Sequence, residues 1–398
     1  MSDKTADFIA RHRTERVAAL ALALSGRSDV DAPFALRQIE GWQRLRTKVP
    51  SWAAVEGLHY PPRLSLEQCS GEAAARYKAG LAARLAPGGG TFIDLTGGLG
   101  VDFSFLARRF ARSVYVERNA ELCRLARHNF PLLGLPGAEV VQAEAADYLS
   151  AVPAADLIFL DPARRDGAGR KTVLIEDCEP DAAALLPRLL ALAPVVLLKL
   201  SPMLDWHRAA QSLGGVSEVH VVADGGECKE LLLVCRRAAG GVAVHVAEEG
   251  CRLAFRPEEE AAASPAYADG VGDYLFEPGP AALKAGCFKL LAVRYGLRKL
   301  HPNSHLYTGP APVAGFPGRT FRVTQVADFS KSALRALRQS VPRANLAVRN
   351  FPATVAELRR RLRIAEGGAD YLFATTLAPG RHVLIAGRKP TPLPKTLP

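Results

Sequence analysis

The chain has no uninterrupted apolar stretch approaching the ~18–20 residues of a membrane-spanning helix, so no membrane association is expected. Its seven cysteines (Cys69, Cys123, Cys178, Cys228, Cys235, Cys251, Cys287) form no C-x-x-C pair and no Cys/His metal spacing. No bound metal is therefore expected, and thiols scattered in this way suit a reducing cytoplasm. The opening M-S-D-K-T-A-D-F lacks the basic and apolar regions of a secretory leader, so the expected location is cytoplasmic. Acid is scarce at one end only. Residues 271–398 carry 20 Lys+Arg against 6 Asp+Glu, a net of +14, whereas residues 1–270 carry 31 against 34, a net of −3. A one-ended positive field favours a polyanion, and RNA or DNA is the usual polyanion of a soluble protein. A generally arginine-rich composition without a ligand is the plainer alternative.

What is present describes an ordered globular protein. The 398 residues suffice for two or three domains, and 48% of them are hydrophobic. Helical periodicity runs over Phe8–Leu24, Ala35–Lys48 and Gly71–Leu85, with Pro-rich breaks between. From residue 91 short apolar runs alternate with helical stretches. The runs are 91–95, 113–117, 138–142, 156–160, 194–199, 217–222 and 230–235. Alternation of this kind predicts a parallel sheet covered on both faces. The short link D-G-G-E-C-K (224–229) makes the last two runs a hairpin. Glu258–Asp269 has no periodicity and reads as a linker. Beyond it the pattern predicts helices at Pro280–Tyr295, Ser330–Ser340 and Val355–Leu362. It also predicts strands at Arg319–Val326, Asn345–Val348, Tyr371–Thr376 and His382–Arg388, a small α+β unit.

The first apolar run ends in D-L-T-G-G-L-G-V-D, Asp94 to Asp102. Glycines between a strand and a helix let the backbone approach a ligand at the helix start. The dinucleotide fingerprint fails, because its third glycine position is Phe103. Glu117 ends the second run, where an acid can accept both hydroxyls of a ribose. Asp94, Gly98, Gly100 and Glu117 together suit a nucleoside ligand without a pyrophosphate, and Glu144 follows the third run where it can meet a base edge. Each residue alone also fits an ordinary turn or a solvated acid.

This constellation resembles the class I S-adenosylmethionine-dependent methyltransferases over about residues 70–237. The resemblance implies a Rossmann-like seven-stranded sheet. By position it assigns the methionine side of the cofactor to the loop with Asp94, Gly97, Gly98, Gly100 and Asp102, the ribose to Glu117 and the adenine to Glu144. The fourth run, D-L-I-F-L, stops at D-P-A-R, Asp161–Arg164. In this class D-P-P-Y or N-P-P-Y stands here in enzymes acting on exocyclic amines, and D-P-P-R in uracil-C5 RNA methyltransferases. Ala163 and Arg164 depart from the first pattern, Ala163 from the second. Asp161 is thus expected to orient a nitrogen, Pro162 to stiffen the loop, Arg164 to hold phosphate, and Lys199 to line the site, with Ser201, Asp205, Glu227 and Lys229 around it. Carbon-5 chemistry needs a thiolate. Ser201 stands where that cysteine would be, and Cys228 is the nearby substitute, so nitrogen methylation fits better.

F-E-P-G-P-A-A-L-K-A-G (276–286), H-L-Y-T (305–308), F-P-G-R (316–319), R-N-F-P (349–352) and Y-L-F-A-T-T (371–376) narrow the resemblance. With D-L-T-G-G-L-G, D-P-A-R-R and G-E-C-K-E-L they resemble the bacterial class I methyltransferases carrying a C-terminal THUMP-like domain. The implied division is an N-terminal helical region (1–86), a methyltransferase domain (87–257), a ferredoxin-like segment (271–318) and a THUMP-like RNA-binding domain (319–398). The implied activity is methylation of an RNA such as tRNA or rRNA with S-adenosyl-L-methionine as cofactor. A non-catalytic RNA-binding protein of the same fold, or a methyltransferase of a non-RNA substrate, are the alternatives.

Overall fold

The computed structural model describes residues 3–150, 152, 154–164, 175, 178–238 and 240–390. Two compact units divide the chain. The first comprises Met1–Val219 and Lys229–Gly241, the second His220–Cys228 and Val242–Pro398.

A nine-stranded sheet contains β1 (Thr91–Asp94), β2 (Arg112–Glu117), β3 (Glu139–Gln142), β4 (Leu157–Leu160), β5 (Val196–Leu200), β6 (Val216–Asp224) and β7 (Glu227–Cys235) in the order β3-β2-β1-β4-β5-β7-β6, followed by Ala243–Glu248 and Cys251–Phe255 where seven strands were expected. The first unit holds β1 to β5 with the parts of β6 and β7 outside residues 220–228. β1, β2, β3, β4 and β5 run parallel, and β7 returns antiparallel to β5. All four residues of β4 are buried, as a strand covered on both faces requires. β1 lies between β2 and β4, so the chain leaves its two neighbours in opposite directions. A crevice opens at such a reversal, beyond the carboxyl ends of the strands. Some of the helices between the strands are fixed at their starts by side chains. Asn119 accepts from the N–H groups of Glu121 and Leu122 at 2.9 and 3.3 Å, and Asp181 from that of Ala184 at 3.0 Å.

The expected Phe8–Leu24 helix is two, Asp3–His12 and Val17–Ala23. Their apolar faces share a cluster of Phe8, Leu20, Leu24, Val30, Ala35 and Ile39 with the helix Ala32–Lys48.

In the second unit a seven-stranded sheet has the order Arg298–Lys299, Tyr307–Gly309, Tyr274–Pro278, Gly318–Asp328, Arg381–Arg388, Ala365–Leu377, Arg343–Arg349. Only the last pair is parallel, joined through the helix Val355–Leu362. That helix starts at a capping box, with Thr354 Oγ1 accepting from the Glu357 N–H at 3.3 Å and Glu357 accepting from the Thr354 N–H at 2.8 Å. Leu337, Leu358 and Leu362 close one face of the sheet, and Leu275, Phe321, Phe373 and Ile385 build the core on the other.

Three expectations need correction. The presumed linker begins with a helix, Pro257–Ala262, which has proline in its first turn beside Glu258, Glu259 and Glu260, the composition a helix N-terminus favours. The presumed Pro280–Tyr295 helix is divided into Pro280–Ala285 and Phe288–Arg294, because Gly286 adopts φ 82° and ends the first piece. The strands Ala243–Glu248, Cys251–Phe255, Tyr274–Pro278, Arg298–Lys299 and Tyr307–Gly309 had not been expected.

Ile158, at the centre of β4, is completely buried. Ile158→Ala is expected to lower the stability of the first unit by about 2–5 kcal/mol. All three tryptophans, Trp42, Trp52 and Trp206, lie in that unit, so urea unfolding followed by tryptophan fluorescence reads it directly. An unchanged midpoint would contradict the packing described.

Candidate active site

Six of the sequence-predicted residues, Asp94, Gly97, Gly98, Gly100, Glu117 and Asp161, meet where β1, β2 and β4 end. Asp94, 1% exposed, closes β1 and accepts from the Thr96 N–H at 3.0 Å. Thr96 Oγ1 in turn accepts from the Asp161 N–H at 2.6 Å, tying the loop after β1 to the loop after β4. Glu117, ending β2, accepts from the Gly98 N–H at 2.9 Å through one oxygen and from the Asn119 N–H at 2.8 Å through the other. The glycine loop is pressed onto β2. A Cβ on Gly97 would stand 2.1 Å from the Tyr115 ring, and Gly100 has φ 85° with its Cβ position 2.9 Å from Phe130. Neither position accepts a side chain without displacing an aromatic ring.

Asp161 is half-exposed and paired with the Lys199 ammonium. Pro162 behind it is buried. Ala163–Arg164 pairs antiparallel with Cys178–Glu179, and the Arg164 side chain lies outside the described residues. Glu144 stands on the rim, exposed, 3.8 Å from Arg118, which also meets Glu179 at 3.2 Å.

Asp102 and Lys199 belong to a larger system. Lys199 Nζ lies 3.4 Å from Asp102 Oδ2, which also accepts from Ser70 Oγ at 2.8 Å. Asp102 Oδ1 is 3.1 Å from Lys78 Nζ, and Lys78, with no exposed surface, meets both oxygens of the buried Glu230 at 2.5 and 2.6 Å. Burial alone would lower the Lys199 pKa, but Asp161 and Asp102 reverse this and hold it well above the usual lysine range. Burial alone would raise Asp102, and Lys78 with Lys199 outweigh it, so its carboxyl stays below the usual range. Glu230 is pushed up by burial, with Lys78 opposing.

Lys78, Glu230 and Ser70 were not singled out in the sequence. Two signals pointed to them: a lysine in the alanine- and leucine-rich buried stripe of helix Glu72–Leu85, and an acid heading the apolar strand E-L-L-L-V-C. Tyr77, one position from Lys78, is half-buried and does not line the cavity. The bend Cys69–Ser70 before the helix does. Asp205 caps the helix Trp206–Leu213, accepting from the His207 and Arg208 N–H groups at 2.9 and 3.4 Å, rather than lining the site.

These residues surround a cavity of about 1330 Å³. That exceeds the roughly 300–1,000 Å³ of a pocket for one small molecule. Its described lining includes nine carboxylate side chains, among them Asp94, Glu117, Asp161 and Glu230, against three cations, Arg118, Lys199 and Lys229. A wall with that balance suits a ligand carrying sulfonium and ammonium charge and repels a pyrophosphate. With the close-packed glycine loop, it fits S-adenosylmethionine.

Burial pushes the Asp94 carboxyl well above the usual aspartate range. The Thr96 N–H and Lys199 oppose this, while Asp102 and Asp161 add to it. The folded chain therefore keeps a proton that the unfolded chain releases near pH ~4. The stability tied to this group is full below that pH and is lost as pH rises through the folded pKa. Asp94→Asn is expected to match the unsubstituted protein near pH 4.5 and to melt higher at pH 8. Parallel pH dependences of the two melting temperatures would refute this.

The THUMP domain-like family matches residues 318–389, and a ferredoxin-like domain family matches residues 274–317. A solved structure from Porphyromonas gingivalis W83, described as a "putative methyltransferase", is 40% identical, covers 98% of this chain and 100% of that one, and superposes with a TM-score of 0.87. An "Uncharacterized S-adenosylmethionine-dependent methyltransferase" of Mycobacterium tuberculosis, alike in strains CDC 1551 and H37Rv, is 27% identical over 305 residues, 75% of this chain and 80% of its own. The full-length relative at 40% identity joins what the strand order and strand-end acids already indicated. The chain belongs to the class I S-adenosylmethionine-dependent methyltransferases with C-terminal ferredoxin-like and THUMP-like domains, and S-adenosylmethionine is its methyl donor.

Proposed function

We propose that this enzyme methylates a base nitrogen of a structured RNA such as tRNA or rRNA. The observation that carries the chemistry is Asp161, a half-exposed carboxylate facing the cavity at the end of β4, oriented by Lys199 and by Thr96. Bound S-adenosylmethionine supplies an electrophilic methyl. Asp161 accepts the N–H of the target nitrogen, directs its lone pair, and relieves it of the proton as the new bond forms. Lys199 fixes the carboxylate's direction, and Pro162 limits the motion of the loop. Arg164 holds an RNA phosphate. On the donor side Asp94, Gly97, Gly98, Gly100 and Asp102 hold the methionine end, Glu117 the ribose and Glu144 the adenine edge.

A covalent carbon mechanism has less support. Cys69 lines the cavity, but burial pushes its thiol up, which is the reverse of the activation a nucleophile needs. The RNA part of the reading rests on the net +14 of residues 271–398. We assign that role to the THUMP-like domain, within the division 1–86, 87–257, 271–318 and 319–398.

Nucleoside mass spectrometry of RNA from a deletion strain should reveal one missing methylated base, restored by the purified protein. An unchanged nucleoside profile would remove RNA as the substrate. Asp161→Ala should slow single-turnover transfer by ~10²–10⁴ while cofactor affinity stays intact, and an active variant would rule out the nitrogen-orienting role. Glu117→Ala should shrink the melting-temperature rise caused by S-adenosylmethionine, since a charged hydrogen-bond acceptor is worth ~1.5–3 kcal/mol. A full-sized rise in that variant would dissociate Glu117 from the ribose.

A further inference from the structure

Three motifs without a role so far converge on one side chain in the second unit. F-E-P-G-P supplies Glu277, F-P-G-R supplies Arg319 and R-N-F-P supplies Arg349. Glu277, only 2% exposed, receives Arg319 through Nε at 2.9 Å and Nη2 on one oxygen, and Arg349 Nη2 at 2.8 Å on the other. The backbone is shaped around this arrangement. Gly279 donates its N–H to the Pro317 carbonyl at 2.9 Å, and a Cβ on Gly318, φ 156°, would lie 2.1 Å from the Glu277 carbonyl.

Here only the acid is buried, while the Arg319 and Arg349 side chains are 46% and 36% exposed. The Arg319 guanidinium lies 5.5 Å over the rings of Phe321 and Tyr371, and Lys389 is 5.8 Å over Tyr371. Carboxylate and rings hold the Arg319 guanidinium, while Arg349 is held by Glu277 and by its Nη1, which donates to the Val348 carbonyl at 3.1 Å, and both side chains keep exposed surface. Of the groups around them, burial pushes Lys299 down from the usual lysine range, and pushes Glu248, an acid acting on Arg319, up towards its neutral form. His305 is held down to about 4 by burial, Lys299 and Arg349, and its Nδ1 has no hydrogen-bond partner among the described residues.

We propose that Arg319 and Arg349, set by Glu277, form a phosphate clamp whose ligand is a phosphodiester of the bound RNA strand. The choice of RNA rests on the function proposed above. The clamp spans the ferredoxin-like and THUMP-like segments, since Glu277 falls in the first and both arginines in the second.

Removing the arginines alone would strand a buried carboxylate, so the informative variant is Glu277→Gln with Arg319→Gln and Arg349→Gln. Arg338→Gln, on an exposed helix face, removes the same net charge and serves as control. Binding of full-length protein to an unmodified transfer-RNA transcript is measured across salt concentrations, with circular dichroism melts verifying the fold. The triple variant should bind at least tenfold more weakly, and its log–log salt slope should fall by about 1.5, two contacts at roughly 0.7–0.9 each. The control should change neither. If the triple variant behaves like Arg338→Gln, the clamp is wrong and the RNA reading stands. A second readout, the His305 ring resonance during titration with inorganic phosphate, separates the sources. Phosphate shifting it in the unsubstituted protein alone, with no transcript bound, would discard RNA and leave the clamp to a free phosphate. No response to either probe would overturn the proposal.

Discussion

The first unit is organised around a fully buried lysine, Lys78, and the carboxylates set against it. An unpaired ammonium in an apolar interior costs several kcal/mol, so Lys78 is tolerable only with carboxylates against it. Glu230 and Asp102 provide them, Asp102 recruits Lys199, and Lys199 pairs with Asp161. The five groups come from the helix before β1, the helix after it, the loop after β4, the body of β5 and the start of β7. Buried ion pairs of this kind contribute little net stability but penalise every arrangement in which one partner is missing. Their effect here is registry, because five segments remote in sequence are held in one relation at the strand ends, where the cavity opens.

The same charges determine what the cavity accepts. Two lysines face three acids in the chain of pairs, and Asp94 beside them is held towards its neutral form. The wall as a whole carries an excess of carboxylates. A cationic methyl donor is welcome there. The cationic excess lies in residues 271–398 instead, where the net is +14. Keeping the two kinds of field on different parts of the chain means that neither cancels the other.

Much of this was legible in the sequence wherever a local rule decides. β4 read as a central strand because Leu157–Leu160 is apolar throughout. The helix Val355–Leu362 read to the residue because Thr354 and Glu357 make a capping box. Asp94, Gly98, Glu117 and Asp161 were legible because each ends or follows a strand. What failed depended on tertiary context. The helix at Pro257–Ala262 was masked because six residues are too few to show a period, and Tyr274–Pro278 by a proline that cannot donate to a ladder. Cys251–Phe255 did alternate, with Cys251, Leu253 and Phe255 buried, but five residues are a weak signal. Lys78 and Glu230 were invisible as a pair because 152 residues separate them. Each alone looks like a single charge beside an apolar segment.

Glu277 and Lys78 are contrasting solutions to the same problem of a charge taken out of water. Around Lys78 the partners are sequestered too, and the charges are spent on one another. Around Glu277 the partners are two arginines whose far sides stay in solvent. Arginine makes the second arrangement possible. Its planar fork can pair with a carboxylate along one edge and keep donors on the others, while a lysine ammonium has no second edge to offer. A buried acid with half-exposed arginines is therefore a way of aiming positive charge, where a buried lysine among acids is a way of fixing structure. The two units differ along that line: in one the charges around the buried group are themselves sequestered, and in the other they keep exposed surface.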